Sequence, residues 1–131
     1  MTAEVISVGL ESGTNQLQIP DISHVGWYEL GSNPGDAGSA VLVGHVDGDG
    51  RPGVFWRLGE LTPGDLVTVN DATGPRNFRV IGREQVAKRA LSADLFSRDG
   101  PPRLALITCG GEFDGSTGHY VDNVVVVAVP V

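Results

Sequence analysis

The sequence predicts an all-β domain: a small closed or nearly closed barrel of about eight strands with one or two short helices. Three observations carry this. Short apolar runs recur along the chain and are broken by turn residues. Nineteen glycines and eight prolines in 131 residues suit a chain of tight turns better than a helical bundle. Apolar residues reach 40%, enough for one compact core, so the chain reads as a single domain over 1–131.

The elements follow in order. Val5–Val8 is a strand, followed by a Gly-rich turn at Glu11–Asn15. Leu17–Ile19 alternates and stops at Pro20. Val25–Tyr28 is aromatic and expected to be half buried, and Ser32–Gly38 reads as loop. Ala40–Val43 is a continuous apolar run, suited to a central strand buried on both faces. Val46–Gly53, rich in Asp and Gly, is expected to be an exposed loop without regular structure. Val54–Leu58 suits one helical turn, and Leu61–Asp65 a turn before the strand Leu66–Val69. Asp71–Gly74 reads as a hairpin connection into Asn77–Ile81. Lys88–Phe96 is the best helix candidate, and Pro101-Pro102 blocks its extension. Arg103–Cys109 and Asn123–Val129 are the last two strands.

Charge and composition narrow the function. The net charge of −7 repels a phosphate backbone, so no nucleic-acid partner is expected. One cysteine excludes an internal disulfide framework and a Cys-based zinc cluster. No run approaches the length of a membrane-spanning helix, and Met1–Glu4 has neither the basic nor the apolar part of a signal peptide. Asp47-Gly48-Asp49-Gly50 suggests a calcium loop only superficially, because the fifth position is Arg51 and the twelfth is Leu58. His45 and Asp47 alone do not make a zinc site, and no phosphate-binding or G-x-S-x-G motif occurs.

The scarce reactive side chains are three histidines and one cysteine. His45 follows the apolar run and Gly44, so a buried strand delivers it to a rim. Cys109 ends a second apolar run and precedes Gly110-Gly111, which leaves room for a peptide backbone beside the sulfur. Brought together, such a pair suits nucleophilic catalysis: the imidazolium favours the thiolate and later protonates a leaving amine. The plain alternative is a Cys109 that serves as a small buried hydrophobe and a His45 that caps a strand end. His24 is expected to be solvated in a loop, and His119 to sit at the surface of a Gly-rich loop.

Val41-Leu42-Val43-Gly44-His45-Val46-Asp47, followed by Leu106-Ile107-Thr108-Cys109-Gly110-Gly111, resembles the sortases, cysteine transpeptidases of Gram-positive bacteria. Three further segments resemble the class F sortases of actinobacteria. They are Val25-Gly26-Trp27-Tyr28, the stretch from Phe55 through Arg57-Leu58 to Pro63-Gly64-Asp65, and Phe113-Asp114 with Tyr120 and Asp122–Val126. The resemblance implies a sortase β-barrel and a catalytic Cys109 with His45 as acid and base. It implies cleavage of an LPXTG-like sorting signal of a surface protein between Thr and Gly, through a thioester. The acceptor is then an amine, such as a cell-wall precursor or a pilin lysine. No metal or organic cofactor is implied.

Two departures accompany the resemblance. Sortases generally carry an arginine on the last strand that steadies the oxyanion, yet residues 110–131 contain no Arg or Lys. Arg57, shortly after the His45 loop, is the first candidate replacement and Arg51 the next, while Asn123 falls by position near the missing arginine's seat; an ion pair to Glu60 or Asp65 is the other reading of Arg57. The family also carries a further N-terminal strand and a membrane anchor, which hold the full-length enzyme at the extracellular face of the cytoplasmic membrane. Neither precedes Val5 in this sequence, so an exposed barrel edge and some dimerisation are expected. The competing function is a catalytically impaired sortase-like binding module at the cell surface, which the missing arginine favours.

Overall fold

The computed structural model describes residues 4–9, 18–48, 50–71, 74–87, 93–116 and 119–131. Its strands are β1 (Glu4–Val8), β2 (His24–Tyr28), β3 (Ser39–Val43), β4 (Asp47–Gly48), β5 (Arg51–Pro52), β6 (Leu66–Asp71), β7 (Gly74–Ala87), β8 (Arg103–Asp114) and β9 (His119–Pro130). Seven of them curl into one half-barrel sheet in the order β1-β2-β3-β8-β9-β7-β6, while β4 and β5 form a separate small ribbon. The all-β architecture expected from the sequence is therefore present.

The middle of the sheet explains the continuous apolar runs. All five residues of β3 are buried. Ala40 and Leu42 join Leu104, Leu106, Val126 and Ala128 in one core with Phe55, Leu58 and Phe78. The intervening Val41 and Val43 join Ala105, Ile107 and Val125 in a second core with Val8 and Leu95. Successive strand residues point to opposite faces, so a strand covered on both faces must be apolar at every position. β7 has one wet face and alternates instead: Phe78 and Val80 are buried while Asn77 and Arg79 are exposed. A bulge at Ile81 interrupts its ladder with β9.

Strand direction matters most for function. β3 and β8 run parallel, with Ser39 paired to Arg103 and Val43 to Ile107. Both therefore run toward the same rim, where β3 ends at Val43 while β8 continues beside β9 to Asp114, so Cys109 lies within a strand and not at the strand end expected from the sequence. β9 runs antiparallel to β8 and returns along it from that rim.

Several local expectations change. Val46–Gly53 is not devoid of regular structure: Asp47 pairs with Pro52 and Gly48 with Arg51. The Gly50 backbone lies in the left-handed region that lets the ribbon turn tightly. Gln18 and Ile19 lie outside any strand, and Leu17 falls outside the described residues. The turn at 54–57 leads into a 3-10 helix at Leu58–Glu60, one step later than the expected helical turn. Of the Lys88–Phe96 helix candidate, Ala93–Phe96 forms a 3-10 turn, and residues 88–92 fall outside the described residues. The expected turns at Glu11–Asn15 and at residues 72–73 also fall outside them.

Among the described residues β1 ends the sheet beside β2, and its Val5 and Ile6 are exposed. Pairing of two copies along this edge predicts a mass that rises with concentration in light scattering; a monomer at high concentration removes the idea.

Candidate active site

The site grows from the parallel pair β3 and β8. Their ladder ends at Val43 opposite Ile107, and His45 and Cys109 each lie two residues beyond that rung. The ladder is continued by two contacts. The Gly44 amide donates to the Ile107 carbonyl at 3.2 Å. The buried Thr108 hydroxyl donates to the Gly44 carbonyl at 2.7 Å. Thr108 is thus the polar residue of an otherwise apolar run, and its hydroxyl ties the residue before His45 to the residue before Cys109. Gly44 itself has no room for a side chain, because a Cβ there would lie 2.7 Å from Val54 and 2.9 Å from Phe55.

His45 and Cys109 are both half-buried, and Cys109 is not in a disulfide. The backbone around His45 is held from the other side by residues 53–55. The Phe55 amide donates to the His45 carbonyl at 3.0 Å, and the Gly53 amide donates to the Val46 carbonyl at 2.9 Å. A Cβ on Gly53 would collide with the His45 carbonyl, which explains a glycine at that position.

On the other flank of β8, Cys109 pairs with Asn123 of β9. Directly paired residues project from the same face of a sheet. That face carries Ile107, Val125 and Val43 lower down. Asn123 also pairs with Val86 of β7. An apolar stripe therefore leads along one face up to the sulfur and the amide.

Two further side chains reach this rim. The Tyr120 hydroxyl of β9 donates to the Asp47 carboxylate of β4 at 2.7 Å. That hydrogen bond holds the Tyr120 hydroxyl above its ordinary ionisation range, and burial and the charge of Asp47 add to it. His24 is not in a loop: it opens β2, two residues before Gly26, which pairs with Val43. Its Nδ1 lies 2.7 Å from Asp21. The hydrogen bonds from His24 and then Ser23 pull the Asp21 carboxyl down to about 2. The side chain of His119 falls outside the described residues.

Arg57 pairs with Glu60. Its Nε donates to Glu60 at 2.9 Å and a terminal nitrogen donates to the same carboxylate at 3.3 Å. The two side chains are 72% and 63% exposed, so the pair is a solvated surface contact of small energetic weight. Asp65, the other partner weighed for Arg57, instead accepts from the Thr62 amide at 2.9 Å. Among the described residues, no group of three or more His, Cys, Asp or Glu is placed to hold a metal ion. Thr108, Gly53 and Tyr120 are the contributors that residue chemistry alone did not single out. The signal for Thr108 was its lone polarity in the run Leu104–Ile107.

Thr108→Val keeps the shape and removes the donor to Gly44. It is expected to cost about 1–3 kcal/mol of stability in a denaturant titration. Turnover should fall roughly tenfold or more, because the residue before His45 loses its anchor. Unchanged stability and turnover would show that the clamp does not matter.

A family model of the sortase domain matches residues 1–131. No curated protein matches the chain. Among solved structures, it resembles "Sortase C1 of GBS Pilus Island 1" at 23% identity and a TM-score of 0.68, over 82% of this chain and 50% of that one. It resembles sortase C1 from Streptococcus agalactiae at 25% identity and a TM-score of 0.67, over 82% of this chain and 53% of that one. Sortase C-1 from Actinomyces oris aligns at 24% identity and a TM-score of 0.68, over 82% of this chain and 58% of that one. The chain thus spans little more than half the length of these structures. The half-barrel sheet, the parallel pair that carries His45 and Cys109, and a domain model matched from end to end agree: the chain belongs to the sortase family.

Proposed function

We propose that this domain is a cysteine transpeptidase. The observation that carries the reading is the parallel register of β3 and β8, which sends His45 and Cys109 to one rim. The Cys109 thiolate attacks the Thr carbonyl carbon of an LPXTG-like sorting signal. The tetrahedral intermediate collapses, the Thr–Gly C–N bond breaks, and the His45 imidazolium gives its proton to the departing glycine amine. A thioester remains on Cys109. An acceptor amine attacks it and loses its proton to His45, which restores thiolate and imidazolium. Water in place of the amine gives hydrolysis.

Asn123, opposite Cys109, is our choice for the oxyanion donor over Arg57, whose guanidinium is engaged by Glu60. A neutral amide supplies one hydrogen bond without charge, so the oxyanion leans more on backbone N–H groups than it would beside a guanidinium. The segments around Val25–Tyr28, Phe55–Asp65 and Tyr120–Val126 support a class F assignment. The acceptor class is a cell-wall precursor amine or a pilin lysine. We place the full-length protein at the extracellular face of the cytoplasmic membrane, where sorting signals and such amines meet.

Mass spectrometry tests this. Incubation with LPXTG-like peptides and candidate amines should give a mass adduct on Cys109 and an amide-linked product, and Cys109→Ala should give neither. Asn123→Ala should lower turnover roughly a hundredfold, and Arg57→Ala should leave it within about twofold. Peptide that binds without any thioester or product would instead support the impaired binding module.

A further inference from the structure

Transpeptidation needs His45 to stay beside Cys109 through two proton transfers, yet the two residues belong to different strands. His45 leaves β3 where its ladder has ended and enters a two-residue ribbon, β4–β5. The contacts from residues 53–55 brace the backbone at His45 and Val46, and that segment is seated in turn by the buried Phe55 and by the Val54 amide on the Ile22 carbonyl at 2.7 Å. Two side-chain hydrogen bonds join the segment to the β8–β9 hairpin that carries the nucleophile. Thr108 holds Gly44, one residue before His45. Tyr120 holds Asp47, two residues after it.

We infer that Tyr120, acting through Asp47, is a positioning residue that keeps His45 in register with Cys109 during turnover. This rests on the transpeptidase reading above. The Tyr120–Asp47 contact spans 73 residues of sequence at 2.7 Å, a charge-assisted length. Both partners are half-buried, so the bond is shielded from competing water more than a surface pair would be. Tyr120 lies on β9 three residues before Asn123, the ladder partner of Cys109, which puts the latch on the strand beside the nucleophile. A segment pinned at both ends has little freedom to swing, and small displacements of a catalytic base are costly. Asp47 is then more than a loop carboxylate: its hydrogen bond to the hairpin limits the reach of the histidine.

Steady-state kinetics of the whole domain with an LPXTG-like peptide and an amine test this, with Cys109→Ala as the blank. Tyr120→Phe removes only the hydroxyl. It should lower kcat roughly tenfold while KM stays within about twofold. Asp47→Ala should do the same, and the double variant should lose no more than either single one. Asp47→Asn keeps an oxygen that accepts from Tyr120 and should recover most of the loss. Melting temperatures measured in parallel separate positioning from folding. Full kcat in Tyr120→Phe, additive losses, or a fall in melting temperature with kcat intact per folded molecule would each overturn the inference. Absence of turnover in the unaltered domain would instead count against the transpeptidase reading itself.

Discussion

The Thr108 hydroxyl on the Gly44 carbonyl is the contact on which the rest of the site depends. It sits where the β3–β8 ladder stops and the chemistry begins. Below it, pairing and burial on both faces fix the two strands. Above it, the chain after β3 turns away into the β4–β5 ribbon, while β8 runs on beside β9. A buried donor and acceptor at this point exclude alternatives, because separation would leave both groups without partners in an apolar setting. The geometry of the pair His45 and Cys109 is therefore inherited from the core and not built by the loops alone.

Burial explains which parts of this arrangement were legible in the sequence. Ala40–Val43 and Leu104–Ile107 are apolar at every position because both sheet faces are covered, and that signal is strong. The ends of those runs, with Gly44-His45 and Thr108-Cys109, could be placed at a rim for the same reason. Strand direction was not legible: nothing in the composition of either run says that β3 and β8 lie parallel and adjacent. The ribbon at Asp47–Gly48 and Arg51–Pro52 was also hidden, because Asp, Gly and Pro are turn residues by propensity. Tertiary packing overrides that preference, with Gly53 fitting closely under the His45 carbonyl. His24 misled for a similar reason, since its Asp and Ser neighbours read as a loop while the histidine opens β2.

The oxyanion site shows what changes when a charge is absent. Residues 110–131 carry no Arg or Lys, and the position facing Cys109 across the ladder is Asn123. The nearby Asp47 and Asp122 are already engaged, by Tyr120 and by the Gln85 side-chain amide at 2.8 Å. Neutral donors in a half-buried setting stabilise an oxyanion less than a guanidinium does, so positioning carries a larger share of the rate enhancement. That shift in emphasis gives the clamps at Thr108 and Tyr120 their importance.

The most direct test of the account is the rate at which iodoacetamide alkylates Cys109 near neutral pH, compared with the same rate in His45→Ala. An imidazole beside the sulfur favours the reactive thiolate. The account predicts ready alkylation in the unaltered domain and a loss of roughly tenfold or more when the imidazole is removed. Equal rates in the two proteins, or a Cys109 that resists the reagent in both, would contradict it.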